Sequence, residues 1–515
     1  MALSYRKRHS GAHPLPKAVA VISWIFPLVF LGDGCRPEQV PVCQLLSGKP
    51  ADGESLVVAL TARVDPDRAP ASQNESERLL FGHLYETLVY VDCRGEMQPA
   101  LAESWSSADG ARTWIFTTSA RARFSDGSVV TAVDVQSAWA NNERQDRSSG
   151  RPSPWTWLYP LRIQVLDERR LSVTVPQPIE DLPGLLAHPS FRVGVVRPGQ
   201  VWPLGTGPYR VVSWGSGSDP DIACDVNPHH TRGSQRWDRL VFRIREGRDP
   251  RDLPAAGADL LLVRDLGMLD YFRDLGYQIT PLCWDRNYLL LVPLSGGPGR
   301  ATLIDFPWDR EDLARHTVLA DGRASFGIEW PIEWGQEGEA AAEGPQRDAP
   351  RVIAPADPLH QRSILYPEDD PDARALAERI AADLHRYRSD QVTNLATVPR
   401  SREDFLEAVR LGTDLAYLFP LARAFAQDEF NIRELVTHAP WLMQAWGVTA
   451  ESRPASDSFD PREIARHLVR GGLVIPLVLT RPCMIHRPGL AGGKDSGLGF
   501  PELEQMGVRR GSPPR

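Results

Sequence analysis

The sequence predicts an α/β protein of more than one domain, on three observations. Its 515 residues suffice for two to four domains of ordinary size. Strand-like and helix-like segments alternate at 364–367, 372–387, 401–410 and 413–419. That alternation builds a sheet covered by helices rather than an all-helical or all-strand body. The run SLVVAL at 55–60 is the near-continuous apolar stretch of a strand buried on both faces.

Within 372–387, Leu376, Ile380 and Leu384 recur every four residues beside Ala377 and Ala381, so one helix face is apolar. Ser401 precedes the next helix with Asp404 three residues on, a capping pair. Strands are expected at 161–175 (a pair), 237–244, 277–281 and 288–292, and a short helix at 182–187. Residues 140–160 and 336–350 carry loop composition, and the tail beyond Gly492 looks loose.

Apolar residues make up 42% and charged residues 24%, the balance of an ordinary globular protein. Net charge is −8, and loss of residues 1–34, with four basic and one acidic side chain, would make it −11. A nucleic-acid partner would need a basic face, so that class is excluded. The N-terminus has a basic cluster at Arg6, Lys7, Arg8 and Lys17, then an apolar region of 14 residues at 18–31. That run is short of the roughly 20 residues of a membrane span and has the form of an export signal. Gly34 precedes Cys35, which suggests lipidation of Cys35 after cleavage; ordinary cleavage and an uncleaved anchor are the alternatives. Each puts the body outside the cytoplasm, periplasmic or at the cell surface. The other cysteines, Cys43, Cys93, Cys224, Cys283 and Cys483, are scattered without a Cys-x-x-Cys pair, and most are expected to be buried single thiols.

Residues 79–139 carry the densest signals. Leu79, Leu80, Leu84 and Leu88 fall at helical spacing, and Asp92-Cys93-Arg94-Gly95 is a turn. A hairpin is expected from strands 113–117 and 122–124, with Trp114 and Phe116 on one face. Ser125-Asp126-Gly127 turns the chain, and Thr131 caps a short helix with Asp134 as its reciprocal partner; Val135, Ala138 and Trp139 face inward. Five short motifs follow in order: Tyr85 to Leu88, Pro99 to Trp105, Asp109 to Phe116, Phe124 to Gly127, and Thr131 to Val135.

Together they resemble the extracytoplasmic solute-binding proteins of the oligopeptide, dipeptide and nickel type, family 5, the receptors of ABC importers. Gly205-Thr206-Gly207-Pro208-Tyr209, Gly257 to Leu260 and the Ile475-Pro476-Leu477 strand match the family's later motifs. The glycine pair lacks the third glycine and following helix of a phosphate loop, so nucleotide binding is rejected. The resemblance implies a two-lobed periplasmic-binding-protein fold of class II, with mixed sheets, a discontinuous first lobe and a small extra subdomain. Its implied divisions are 1–34 signal peptide, 35–54 tether, 55–268 first lobe with a subdomain at about 90–200, 269–460 second lobe, and 461–515 return to the first lobe with a loose tail. Two departures stand out: Pro293 replaces an asparagine that usually ends a strand, and no acid near 420–430 aligns with the family's clamp for a peptide amine.

The implied function is a non-enzymatic receptor that binds a peptide-like or other small solute between its lobes and delivers it to ABC importer permeases. The alternative is a degenerate member acting as a surface sensor or scaffold. Expected ligand contacts are Tyr85, Trp284, Arg286, Asn287 and Tyr417; Trp105 belongs with the core. His229 and His230 are adjacent on an extended segment, face opposite ways and lack a third ligand, so no metal site is expected. No catalytic motif and no cofactor motif is present, and such receptors are usually monomers.

Overall fold

The 53–60 run lies in the middle of a seven-stranded sheet. The computed structural model describes residues 44–149, 153–215, 221–254, 257–294, 298–317, 322–330, 363–387, 395–445 and 461–510. Cys35, the signal segment and the 336–350 loop lie outside them. In the first sheet the strands run Tyr209–Trp214, Asp221–Val226, Trp237–Ile244, Gly53–Leu60, Leu260–Val263, Cys483–His486 and Gln278–Pro281. Gly53–Leu60 pairs in parallel with both neighbours, and Leu56 and Val58 are wholly buried. That accounts for its unbroken apolar sequence.

A six-stranded second sheet has the order Arg323–Ala324, Val474–Thr480, Arg286–Leu291, Ala416–Ala422, Ser363–Pro367 and Ala396–Arg400. Apolar clusters cover both its faces, with Leu376, Ile380 and Leu384 of the helix Pro371–Tyr387 on one side and Phe405, Ile432 and Leu468 on the other. A four-stranded antiparallel sheet, Ala102–Ala108, Thr113–Thr118, Arg170–Thr174 and Arg162–Val165, carries its own core around Trp139, Trp155 and Phe191. The protein thus has two lobes built on mixed sheets, with a subdomain on the first.

The chain passes between the two large sheets twice. Residues 282–285 lead out and 481–482 lead back, side by side: Leu282 N–H donates to the Pro482 carbonyl at 2.9 Å and Asp285 N–H to that of Thr480 at 3.2 Å. These crossings differ from the expected divisions. Gln278–Pro281 still belongs to the first sheet, and Val474–Thr480, expected to return the chain, belongs to the second. The return comes two residues later, because Val474–Thr480 is buried at every position between two second-lobe strands.

Other expectations are corrected. Thr113–Thr118 forms its hairpin with Ala102–Ala108, not with 122–124. The turn is Asp109-Gly110-Ala111, all at positive φ (52°, 57° and 64°), so the Asp-Gly pair marks this hairpin. The helix begun at Thr131 is 18 residues long, Ala132–Ser149, and Pro154–Leu158 is helical, so 140–160 is largely not loop. Its capping pair forms as expected: Asp134 Oδ2 accepts from Thr131 N–H at 2.9 Å, and Thr131 Oγ1 accepts from Asp134 N–H at 3.2 Å.

Neither the tether nor the tail is loose where described. Gln44–Leu46, Leu490–Asp495, Pro501–Arg509 and Pro50–Ala51 form a four-stranded antiparallel sheet in that order. Leu503 and Met506 are fully buried on the first-lobe core. The sequence hides these strands because Gly492, Gly493 and Gly507 interrupt the alternation; a Cβ at Gly507 would lie 2.2 Å from the Ala51 carbonyl oxygen, so close pairing demands glycine. Cys224, Cys283 and Cys483 are buried thiols outside any disulfide, whereas Cys93 is disulfide-bonded.

Candidate functional site

The first-lobe wall of the site starts from the helix Glu75–Leu84. Asn74 caps it by accepting from Glu77 N–H at 2.9 Å, and Leu79, Leu80, Phe81 and Leu84 anchor it on the sheet. The Gly205–Tyr209 turn crosses its C-terminal end. A Cβ at Gly205 would lie 2.0 Å from the Leu84 carbonyl oxygen and one at Gly207 2.6 Å from that of His83. The glycines of this motif serve close backbone packing.

A cavity of about 860 Å³ opens beside this helix. Its lining includes Arg78, Gly82 and Tyr85 from the helix region, His188 and Arg192 from the subdomain, Phe425 from the second lobe, and Lys494 and Glu502 from the C-terminal sheet. Residues 188–192 are held from behind. Trp139 Nε1 donates to the Phe191 carbonyl at 2.8 Å, and Asn142 Nδ2 donates to those of Ser190 (3.0 Å) and Arg192 (2.9 Å).

The second lobe reaches the subdomain through Phe425. Its ring stacks on His188 at 4.6 Å between centroids and lies 5.5 Å from Trp157, whose Nε1 donates to Thr437 Oγ1 at 2.9 Å. Ala424, Phe425 and Phe430 form part of the subdomain's apolar cluster. Asn431 fixes their loop: its Oδ1 accepts from Ala424 and Phe425 N–H at 3.0 and 3.1 Å, and its Nδ2 donates to the Phe425 carbonyl at 2.9 Å. The lobes are therefore in contact across the cleft.

Electrostatics divide the cavity. Burial, then Arg78 and Arg192, push the His188 pKa down to about 3, and Ser190 N–H donates to its Nδ1 at 3.2 Å, so the ring is neutral. Burial and the charge of Arg78 push Arg192 down to about 9, still cationic at neutral pH. Elsewhere Glu86 pairs with Arg232 at 2.6 Å, and burial with the neighbouring Glu504 pushes Glu502 up to about 7.

The expected contact residues separate. Tyr85 lines the cavity, with its ring beneath Gly194 and Gly205 and its hydroxyl donating to the Pro203 carbonyl at 3.2 Å. Trp284, Arg286, Asn287 and Tyr417 lie outside that lining, and each has an internal partner. Arg481 sits 4.5 Å over the Trp284 ring. Arg286 pairs with Asp370 at 2.8 Å and Glu75 at 3.2 Å; burial opposes its charge, but these carboxylates and Tyr288 outweigh it and raise its pKa. Asn287 is wholly buried and donates to the Gly327 carbonyl at 3.0 Å. Tyr417 is buried in the second-lobe core, where its hydroxyl accepts from Asp414 N–H at 2.9 Å. Trp105 is half-buried against the subdomain core, as its motif position implied. Sequence reasoning missed Arg78, Arg192 and Phe425. Only Arg78 left a trace, as a cation embedded in the apolar periodicity of 76–84. Among the described residues no group of metal-ligating side chains forms, and no helix is long and apolar enough to cross a membrane.

Comparison with known proteins bears on this architecture. Residues 96–258 match the model of the bacterial extracellular solute-binding proteins, family 5. The Probable D,D-dipeptide-binding periplasmic protein DdpA of Escherichia coli is 24% identical over 375 residues, covering 67% of this chain and 69% of that protein. The periplasmic oligopeptide-binding protein OppA of Escherichia coli is 28% identical over 152 residues, 26% of this chain and 27% of that one. The structure of NikA from Brucella suis in complex with Fe(III)-EDTA superposes with a TM-score of 0.69 at 16% identity, covering 88% of this chain and 100% of that one. The unliganded open form of the murein tripeptide binding protein MppA gives 0.65 at 15% identity, over 91% and 99%. These structural likenesses bear on fold. The matched model over residues 96–258, the ordered motifs and the two-sheet architecture make this chain similar to the extracellular solute-binding proteins of family 5.

Proposed function

We propose that this chain captures a small solute in the cavity between its lobes and delivers it to the permease subunits of an ABC importer. The observation that carries the reading is a cavity of about 860 Å³ walled by both lobes, beside two adjacent crossings on which the lobes can swing. That volume lies within the roughly 300–1,000 Å³ typical of small-molecule sites. Two short linkers between rigid sheets are the architecture of hinge closure. Relatives are named for dipeptides, oligopeptides and murein tripeptide, so peptide-like solutes head the search. Tyr85 is the one residue expected from sequence that we retain as a lining contact. The chain is a receptor, not an enzyme. It works as a monomer outside the cytoplasm, tethered by a lipid on Cys35.

Small-angle scattering and thermal unfolding of the purified full chain against di- and tripeptides, sugars and metal–chelate complexes test the reading. A solute that binds the closed form raises stability by about 2.7 kcal/mol at 100 times its Kd and reduces the radius of gyration. If no solute changes either quantity, the receptor reading fails.

A further inference from the structure

Two guanidinium groups meet at one end of the cavity. Arg78 stands on the helix Glu75–Leu84, and Arg192 follows the Pro189–Phe191 turn. A Cβ at Gly82 would lie 3.3 Å from Arg192 Nη2. Gly82 is one helical turn beyond Arg78, so Arg192 lies against the helix face that carries Arg78. Neither guanidinium is fully partnered: Arg78 Nη2 and Arg192 Nη1 are buried and have no hydrogen bond among the described residues. Arg192 as a whole is only 9% exposed.

The surroundings of Arg192 do not neutralise it, and no carboxylate hydrogen-bonds the free nitrogen of Arg78. The charges acting on Arg192 come from Arg78, which repels it, and from the Tyr85 phenol; no carboxylate is among them. Arg78 rests 4.6 Å over the Phe500 ring and feels Asp285, Glu75 and Glu434. Glu434, which approaches from the second lobe, leaves its own Oε2 without a partner, and burial holds its pKa up near 7. An internal ion pair therefore does not account for the free Arg78 nitrogen. Burying an unpaired cation beside another is costly unless something anionic joins them. Planar guanidinium forks match the oxygens of carboxylates and phosphates.

We propose that Arg78 and Arg192 form a two-point clamp for an anionic oxygen group, carboxylate or phosphoryl, of the solute held in this cavity. The clamp rests on the receptor reading above and names the solute's chemical class. Closure brings Phe425 onto the neutral His188 ring beside the clamp, a wall that excludes water and strengthens the charge-assisted hydrogen bonds.

The test uses the full chain with succinate, inorganic phosphate and the uncharged succinamide as probes, read by calorimetry and thermal unfolding at low salt. Succinate or phosphate is expected to bind and raise the melting temperature, and succinamide is not; the stronger of the two anions identifies the group. Arg192→Met and Arg78→Met are each expected to weaken that binding about ten-fold or more. Arg192→Met without anion should melt no lower than the wild type, since an unpaired buried cation has been removed; a residue with a purely structural role would lower it. Failure of both anions to bind, or binding retained in both variants, overturns the clamp. Closure by an uncharged or cationic solute that neither substitution affects also overturns it, and leaves the receptor standing. If no solute of any charge closes the lobes, the receptor reading fails with it.

Discussion

The Phe425 ring of the second lobe stacks on the His188 imidazole of the subdomain, with planes 26° apart and centroids 4.6 Å apart. This contact, with Ala424 and Phe430 beside it, joins the second lobe to the subdomain core, and Asn431 pre-shapes the loop that makes it. Phe425→Ala should therefore act on closure more than on folding. Truncating a buried phenylalanine costs about 3 kcal/mol, which falls on the closed state and weakens solute binding about 100-fold. Calorimetric affinity together with scattering checks this. Unchanged affinity would show that the stacking does not hold the lobes.

His188 also makes stability depend on pH. Its pKa is lowered from the usual 6.5 to about 3, by burial first and then by Arg78 and Arg192. Between those values the unfolded chain binds a proton that the native protein does not. The contribution of neutral His188 is complete above pH 6.5 and is lost as pH falls toward 3. His188→Phe removes this dependence. Relative to wild type, the variant should gain about 1 kcal/mol per pH unit on going from pH 6 to pH 4. Urea unfolding at pH 4, 5, 6 and 7 measures the difference; a constant offset would refute it.

The crossings are braced by charge. Arg264 donates to both Asp285 oxygens, at 3.0 and 2.5 Å, and Asp285 is buried where the outward crossing enters the second sheet. Asp285→Ala leaves Arg264 paired with the half-exposed Glu75, at 2.6 Å. Breaking a buried pair from one side costs about 3 kcal/mol. Replacing both residues with apolar ones should cost less than the single change, which a double-mutant cycle measures.

Gly205→Ala tests the turn motif. The added methyl group would fall 2.0 Å from the Leu84 carbonyl oxygen, which belongs to a packed helix end and cannot yield cheaply. A loss of about 3 kcal/mol is expected, at the upper end for overpacking. Gly199→Ala, on an exposed turn with nothing within 4 Å, separates this clash from backbone strain, since Gly199 has a φ of +80°.

Leu503→Ala tests the C-terminal sheet. Leu503 is fully buried, and its N–H donates to His83 Nε2 at 3.2 Å, so this strand packs on the helix that lines the cavity. A loss of about 3 kcal/mol is expected in chemical unfolding. A loss below about 0.5 kcal/mol, the range of surface substitutions, would mean that the segment is peripheral.

Local patterns announced much of the fold. The apolar 55–60 run, the Thr131–Asp134 capping pair, the amphipathic helix of 371–387 and the Gly-Thr-Gly-Pro-Tyr turn depend on neighbours in sequence, and each forms. Misread segments depended on distant partners. Gly492, Gly493 and Gly507 look like linker residues until the strands they sit in are paired, and Val474–Thr480 can be assigned to a sheet only once its neighbours are known.

The cavity belongs to the second kind. Tyr85 could be singled out because it stands in a motif, but its partner walls come from residues more than 100 positions away. Arg78 and Arg192 are 114 positions apart, and neither has a neighbour in sequence that marks it as a binding residue. By itself the sequence determined the capped and amphipathic elements named above and the family resemblance, because each is written in short-range spacing. Tertiary structure alone decided which side chains face one another across the cleft, because burial and charge pairing arise only when segments remote in the chain are brought together.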